Sequence, residues 1–339
     1  PGRYPILTTP LLNTWSKHSG HAEAARCAVV LDLATWVPTF TSRRTRRPQT
    51  LLQPPQTRQA PPPRLRNNGG VTEATSTAAF IEAHRASTDA ELAAALVEHA
   101  GQLALRMRAE GVGTDFKTSI SDVVTDADRA AERFVADALA ELRGDDGVLG
   151  EEGADRPSAT GRTWVIDPVD GTYNFSQGSD YFCSALALVD DNSAHTPAIG
   201  AVHRPATDTT WIAADGVATR DGVELRGLAE SSLSESAVVT YLHPTFMAND
   251  DVREAWLRVV SGAATMRMMG AGSVDLSNLA SGQMGAWLQH TVPDWDWLPG
   301  KALVEAAGGR CVKVDAGGVT WCVAGNPQVV DEIAGRLRG

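Results

Sequence analysis

Apolar residues recur at helical spacing twice before any strand pattern begins. Thr88 and Glu91 form a capping box ahead of an alanine- and leucine-rich helix that runs to about Met107. A second helix opens near Thr125 and carries Ala130, Ala131, Phe134, Val135, Ala138 and Leu142 on one side. The pattern then changes to short apolar runs that predict strands at Thr163–Asp167, Tyr181–Val189, Ala198–His203, Thr209–Ala213 and Ala237–Leu242. Ser273–Ala280 predicts a helix between strands at Thr265–Met269 and Met284–Gln289. Trp295–Ala307 predicts a helix with Pro299 in its first turns, and Arg310–Asp315 with Val319–Val323 a hairpin around Gly317–Gly318. Asn326 caps a last helix with Pro327 at its first position. Helices first, then strands mixed with helices, predict a layered α+β protein rather than strict βαβα alternation. No internal repeat and no Gly-rich Walker or Rossmann loop is visible, and no run approaches the roughly 18 apolar residues of a membrane helix.

Composition adds a boundary. Ten of the 18 prolines and ten of the 30 Lys/Arg fall in residues 1–70, against only two of the 41 Asp/Glu. The stretch from Thr39 to Arg66 is rich in Arg, Pro and Gln and has little with which to bury a core. Three readings compete for it: a targeting segment, a nucleic-acid-binding arm using Arg43, Arg44, Arg46 and Arg47, or a mis-called start with translation beginning near Val71. The last is the expectation taken forward, with residues 1–72 outside a catalytic domain at 73–339. The remainder holds 20 basic against 39 acidic side chains. Such a body argues against non-specific nucleic-acid binding, and no membrane association is expected. An acidic protein that handles a phosphate needs a cation in between. Cys27, Cys183, Cys311 and Cys322 form no CxxC pair; reduced thiols are expected, although Cys311 and Cys322 can meet across the hairpin.

Four carboxylate clusters sit at the ends of predicted elements. In Trp164–Thr172 an apolar strand ends in Asp167, Pro168 stops the ladder, and Asp170–Gly171 turns sharply toward a helix at Thr172. A turn lets Asp167 and Asp170 converge although they stand three apart, and two hard oxygen donors suit Mg²⁺, with the Val169 carbonyl a further candidate. Taken alone, an Asp-rich helix cap explains this equally well. Val148–Gly153 offers Glu151 and Glu152 after a strand; Ser121–Asp128 offers Asp126 and Asp128 at a helix start; Asp294–Trp297 offers Asp296 between two tryptophans. Singly, each is an ordinary surface pair or cap.

Together these residues resemble the inositol monophosphatase family. Asp167–Pro168–Val169–Asp170–Gly171–Thr172 with Asn174–Phe175 looks like its first signature, and Trp295–Asp296 followed by Glu305–Ala306–Ala307–Gly308–Gly309 looks like its second. Gly150–Glu151–Glu152, and Lys117 with Asp122–Val123–Val124–Thr125 and Asp128, follow the family order. The resemblance spans roughly residues 80–338 and points to the bacterial inositol-1-monophosphatase branch; neighbouring branches act on histidinol phosphate, fructose 1,6-bisphosphate or phosphoadenosine phosphate. It implies a layered α-β-α-β-α sandwich of the inositol monophosphatase / fructose-1,6-bisphosphatase type, a cytoplasmic homodimer, and two to three Mg²⁺ ions. Glu151, Asp167 and the Val169 carbonyl would hold the first ion; Asp167, Asp170 and Asp296 the second; Glu151 with water a third. Thr172 with Glu151 would activate water, Asp128 would take the Thr172 proton, and Lys117 would sit on a mobile segment. Gly171 and Thr172 would contact the phosphate, and Gly270, Ala271, Gln289 and Asp296 would line the substrate pocket. Gln289 stands where inositol-cleaving members usually carry Glu, which weakens that substrate assignment. Asn174–Phe175 favours the inositol branch modestly, and His290 is expected at the surface or behind the site. A haloacid-dehalogenase-type phosphatase, whose paired Asp residues stand two apart, fits poorly. A non-catalytic relative would be expected to have lost a ligand or the Thr.

Overall fold

The computed structural model describes residues 77–111, 114–116, 123–190 and 197–339, and gives side chains for all but 114–116, 123 and 124 of these. All lie within one unit, Gly69–Gly339. In chain order come α1 (Thr77–His84), α2 (Asp89–Glu110), β1 (Thr114–Phe116), β2 (Val123–Thr125), α3 (Asp126–Leu142), β3 (Gly147–Gly150), β4 (Asp155–Arg156), β5 (Arg162–Asp170) and α4 (Thr172–Ser176). Then follow β6 (Cys183–Asp190), β7 (Pro197–Arg204), β8 (Thr209–Ala214), β9 (Val217–Arg220), β10 (Val223–Glu224), β11 (Ala237–Tyr241), α5 (Asp250–Val260) and β12 (Thr265–Arg267). The chain closes with α6 (Gly272–Ala280), β13 (Ala286–His290), α7 (Asp294–Ala306), β14 (Arg310–Ala316), β15 (Val319–Gly325) and α8 (Pro327–Arg338).

The strands form an eight-stranded sheet, β10-β9-β8-β7-β6-β5-β3-β4, a five-stranded sheet, β12-β11-β13-β15-β14, and the small ladder β1-β2. Three apolar layers join them to the helices. Leu92 and Leu96 of α2 and Phe134 and Leu139 of α3 pack on Trp164, Ile166, Leu186 and Ile199 of the large sheet. Its opposite face (Val165, Ala187, Val202) packs on α6 and α7 through Leu276, Leu279, Leu298 and Leu303, and these reach Val239, Trp287 and Cys322 of the small sheet. Trp256 of α5 and Val329 and Ile333 of α8 cover the far face of that sheet at Val238, Leu288 and Val323. The order is therefore α-β-α-β-α, the layered α+β sandwich expected. Central strands β5 and β6 are buried on both faces, which is why they read as continuous apolar runs.

Both predicted caps are present: Thr88 and Glu91 close a capping box on α2, and Asn326 accepts from Val329 N–H on α8. Cys311 pairs with Ala324 and Cys322 with Lys313, so the two cysteines are not opposite each other, and both are free, as is Cys183. Cys27 lies outside the described residues.

The expected turn after Asp167 is instead a β-bulge inside β5. Asp167 pairs with Ala185 and Asp170 with Cys183, so three steps on β5 oppose two on β6. One extra residue reverses the alternation and brings positions three apart to the same face. Pro168 is tolerated there because a bulge position needs no ladder N–H.

Candidate active site

The bulge gathers the acids. Carboxylate oxygens of Asp167, Asp170 and Asp296 all lie within 4.8 Å of one another, Asp167 and Asp170 buried and Asp296 half-buried. Asp296 arrives from the first turn of α7, across the sheet. Glu151 arrives from the turn after β3, where its N–H donates to the Ile166 carbonyl at 3.2 Å and ties it to β5. Burial pushes the Asp167 carboxyl well above the usual range, and the charges of Glu151, Asp170 and Asp296 push it further. Burial also raises Asp170, opposed by N–H groups of Ser273 and Gly272 at the start of α6 that donate to it. An all-oxygen set of crowded carboxylates, unfavourable when ionised together, fits a hard divalent cation.

Beside the trio, the Thr172 hydroxyl lies 3.1 Å from Asp128 Oδ1 and 2.9 Å from the Val169 carbonyl oxygen. It has one proton and two acceptors. Asp128 is fully buried at the start of α3, where Thr125 N–H donates to it at 2.9 Å and the Thr125 hydroxyl donates to the same oxygen. Burial raises its carboxyl to about 6, against the Thr125 hydrogen bonds that hold it down. The Val169 carbonyl keeps one lone pair beyond the one that Thr172 uses.

These groups open into a cavity of about 940 Å³ lined by Glu151, Asp170, Gly171, Thr172, Gly270, Ala271, Gln289 and Asp296. Asp128 and Val169 accept from Thr172 of that wall, and Asp167 lies beside Asp170 and Asp296. Lys117, and Asp122 with it, lies outside the described residues. Gly171 has φ +89°, and a Cβ there would meet Ala271 Cβ at 2.9 Å and two carbonyl oxygens at 3.1 and 3.2 Å. Gly171→Ala should therefore cost roughly 2 kcal/mol or more in chemical denaturation and displace Thr172. An unaltered midpoint with unaltered turnover would contradict that contact.

Several lining residues escaped sequence reasoning. Tyr173, Tyr241, His243, Pro244, Met268 and Met269 form the outer rim. β12 ends at Arg267 rather than at Met269, which releases the two methionines toward the cavity. Asp275 lines the wall, accepts from Tyr181 O–H at 2.6 Å, and is raised to about 8 by burial. It sits one turn into a helix with no accompanying acid, so no motif marked it. Asn174, read from sequence as a branch marker, donates through Nδ2 to the carbonyls of Met269 (2.8 Å), Tyr181 (3.0 Å) and Gly270 (3.2 Å). Its amide nitrogen fastens the pocket wall. His290 is buried rather than at the surface. Alternation on β13 turns Gln289 to the cavity and buries His290 against Phe246 and Trp321.

The five-layer sandwich thus sets an acidic trio, two of its members buried, against the cavity. The profile of the inositol monophosphatase family matches residues 85–334, and the chain belongs to that family. It is 34% identical over 260 residues to the histidinol-phosphatase of Mycobacterium tuberculosis, covering 74% of this chain and 97% of that one. It is 34% identical over 202 residues to the inositol-1-monophosphatase of Rhizobium meliloti, covering 58% and 74% respectively. Among solved structures, the extragenic suppressor protein SuhB of Bartonella henselae superimposes with a TM-score of 0.66 at 22% identity, over 73% of this chain and 97% of that one, a likeness of fold. Among the described residues, no helix is long and apolar enough to cross a membrane.

Proposed function

We propose that the chain is a Mg²⁺-dependent phosphomonoesterase that hydrolyses inositol 1-phosphate to inositol and phosphate. The observation that carries this reading is the convergence of Asp167, Asp170 and Asp296 within 4.8 Å beside a cavity that also exposes Glu151 and Thr172. Glu151, Asp167 and the Val169 carbonyl would hold one ion and Asp167, Asp170 and Asp296 a second, with Glu151 shared by a third. Bound there, Mg²⁺ supplies positive charge to the phosphoryl oxygens and makes water a stronger acid.

The chain's own residues do the rest. Asp128, 3.1 Å from Thr172 Oγ1, is placed to take the hydroxyl proton and so lets that oxygen accept from an attacking water. Glu151 lies on the same cavity wall and orients that water from its other side. Gly171, Gly270 and Ala271 pack together without side chains that would fill the floor, which leaves backbone facing the phosphate. Gln289 offers both a donor and an acceptor to ring hydroxyls.

A second reading, histidinol phosphate, is favoured by the outer rim. Tyr173 and Met268 are 47% and 40% exposed there beside Tyr241 and His243, a surface suited to a planar ring more than to a polyol. Phosphate release from inositol 1-phosphate, histidinol phosphate, fructose 1,6-bisphosphate and phosphoadenosine phosphate, each with and without Mg²⁺, tests the assignment. The expected result is metal-dependent release with the highest kcat/KM for inositol 1-phosphate. Preference for histidinol phosphate would transfer the assignment to the second reading, and equal release in EDTA would overturn the metal mechanism.

A further inference from the structure

We propose that Glu132 is a positioning residue that sets the metal affinity of the site through the turn carrying Glu151. Glu132 lies in α3 one helical turn after Asp128, so both side chains leave the same face of one helix. It is only 4% exposed. Its carboxylate grips the turn after β3. Oε2 accepts from Glu152 N–H at 2.8 Å and Oε1 accepts from Ala154 N–H at 2.8 Å. The Gly150 N–H closes the same turn by donating to the Ala154 carbonyl at 2.7 Å.

The sequence of the turn follows from that grip. A Cβ on Gly150 would collide with the Glu132 carboxylate, so the glycine is what allows the close approach. Gly153 has φ +111°, a conformation that side chains rarely adopt. Glu151 stands between these two constraints. Its N–H is tied to Ile166 on one side and the turn is tied to α3 on the other. One face of α3 thus braces two parts of the site: Asp128 holds Thr172, and Glu132 holds the segment that presents Glu151.

Only a carboxylate meets both demands. It accepts with two oxygens and carries no proton to set against an N–H. Glutamine keeps one acceptor and turns an NH₂ toward the other N–H, and an apolar residue leaves two donors unpaired. Groups that orient metal ligands from behind typically change affinity 10- to 100-fold when altered.

The inference rests on Glu151 being a metal ligand, as proposed above. Two full-length variants test it: Glu132→Gln, and Gly150→Ala, which dislodges Glu132 while leaving its charge in place. Metal dissociation constants are measured by titration calorimetry with Mg²⁺ and Mn²⁺ without substrate, beside the metal dependence of phosphate release. Both variants should bind metal about 10-fold more weakly. Their half-saturating Mg²⁺ should rise in proportion, by more than any fall in kcat at saturating metal, while KM for substrate stays close to that of the parent. Unchanged metal affinity in a folded variant would overturn the proposal, as would a loss confined to kcat. Gly150→Ala carries the test should Glu132→Gln fail to fold. Glu151→Gln, measured alongside, separates the two claims. If it leaves metal affinity intact, the ligand reading itself falls; if it weakens binding and the other two variants do not, only the role of Glu132 falls.

Discussion

Asp167→Asn is expected to raise the melting temperature of the metal-free protein while abolishing its metal-dependent phosphatase activity. The two effects have one cause. Asp167 is buried, and its ionised form is disfavoured first by burial and then by Glu151, Asp170 and Asp296. At neutral pH the metal-free fold must either ionise it against those charges or hold a proton that the unfolded chain releases. An amide of the same shape removes the conflict and keeps Oδ1 as acceptor for the Val169 N–H, now at 3.0 Å. Relief of that crowding should raise the metal-free melting temperature measurably. Adding Mg²⁺ should then reverse the ranking. The parent chain gains stability from binding, whereas the variant lacks the carboxylate that both proposed ions share. Turnover should fall by roughly 10³-fold, several kcal/mol of transition-state stabilisation. Melting curves in EDTA and in millimolar Mg²⁺ give four temperatures whose order decides the matter. A metal-free variant less stable than its parent would mean that Asp167 is there for structure.

The candidate metal ligands stood out along the chain because they sit at element ends, where a carboxylate follows an apolar run. Glu151, Asp167, Asp170 and Asp296 each read singly as a surface pair or a helix cap, and only their joint order and the family resemblance marked them as a set. What brings them together was not visible. A bulge leaves no composition signal, and Pro168 reads equally as the end of a strand or as an irregularity within one. The elements missed fall into two kinds. α5 was legible: Asn249 caps it, Asp250 and Asp251 open it, and Val252, Ala255, Trp256 and Val259 follow helical spacing onto the core. The outer rim was not, since Tyr241 ends β11, His243 begins the next turn and Met268 follows β12. They meet only because the small sheet packs against α6 and α7. The two proposed substrates are distinguished at that rim, which is why the class of chemistry reads from sequence more readily than the substrate does.

Stability should fall steeply with pH in the absence of metal and only shallowly in its presence. Asp128 is raised to about 6 and Asp275 to about 8, both chiefly by burial. In the unfolded chain each titrates near 3.9. Between about 4 and 6 the folded state therefore holds more protons than the unfolded state, and stability falls as pH rises. Asp275 extends the fall toward pH 8. Asp128 alone accounts for about 2–3 kcal/mol, or ~5–10 °C, between pH 4 and pH 7. Asp167 and Asp170 act in the same direction. Metal flattens the slope because the cation binds the ionised carboxylates, so raising the pH strengthens binding and offsets part of the fall. In EDTA the melting temperature should decline steadily from pH 5 to pH 8.5. In 10 mM Mg²⁺ the difference between the two curves should widen over the same range. Asp275→Asn should make the decline shallower throughout, from pH 5 to about 8, whereas Asp128 contributes only up to about pH 6; the two act separately because Asp128 contacts the Thr172 hydroxyl and Asp275 the Tyr181 hydroxyl. A metal-free melting temperature that rises with pH would show that the buried acids are already balanced by positive charge. The cation would then not be what makes this crowded site tolerable at neutral pH.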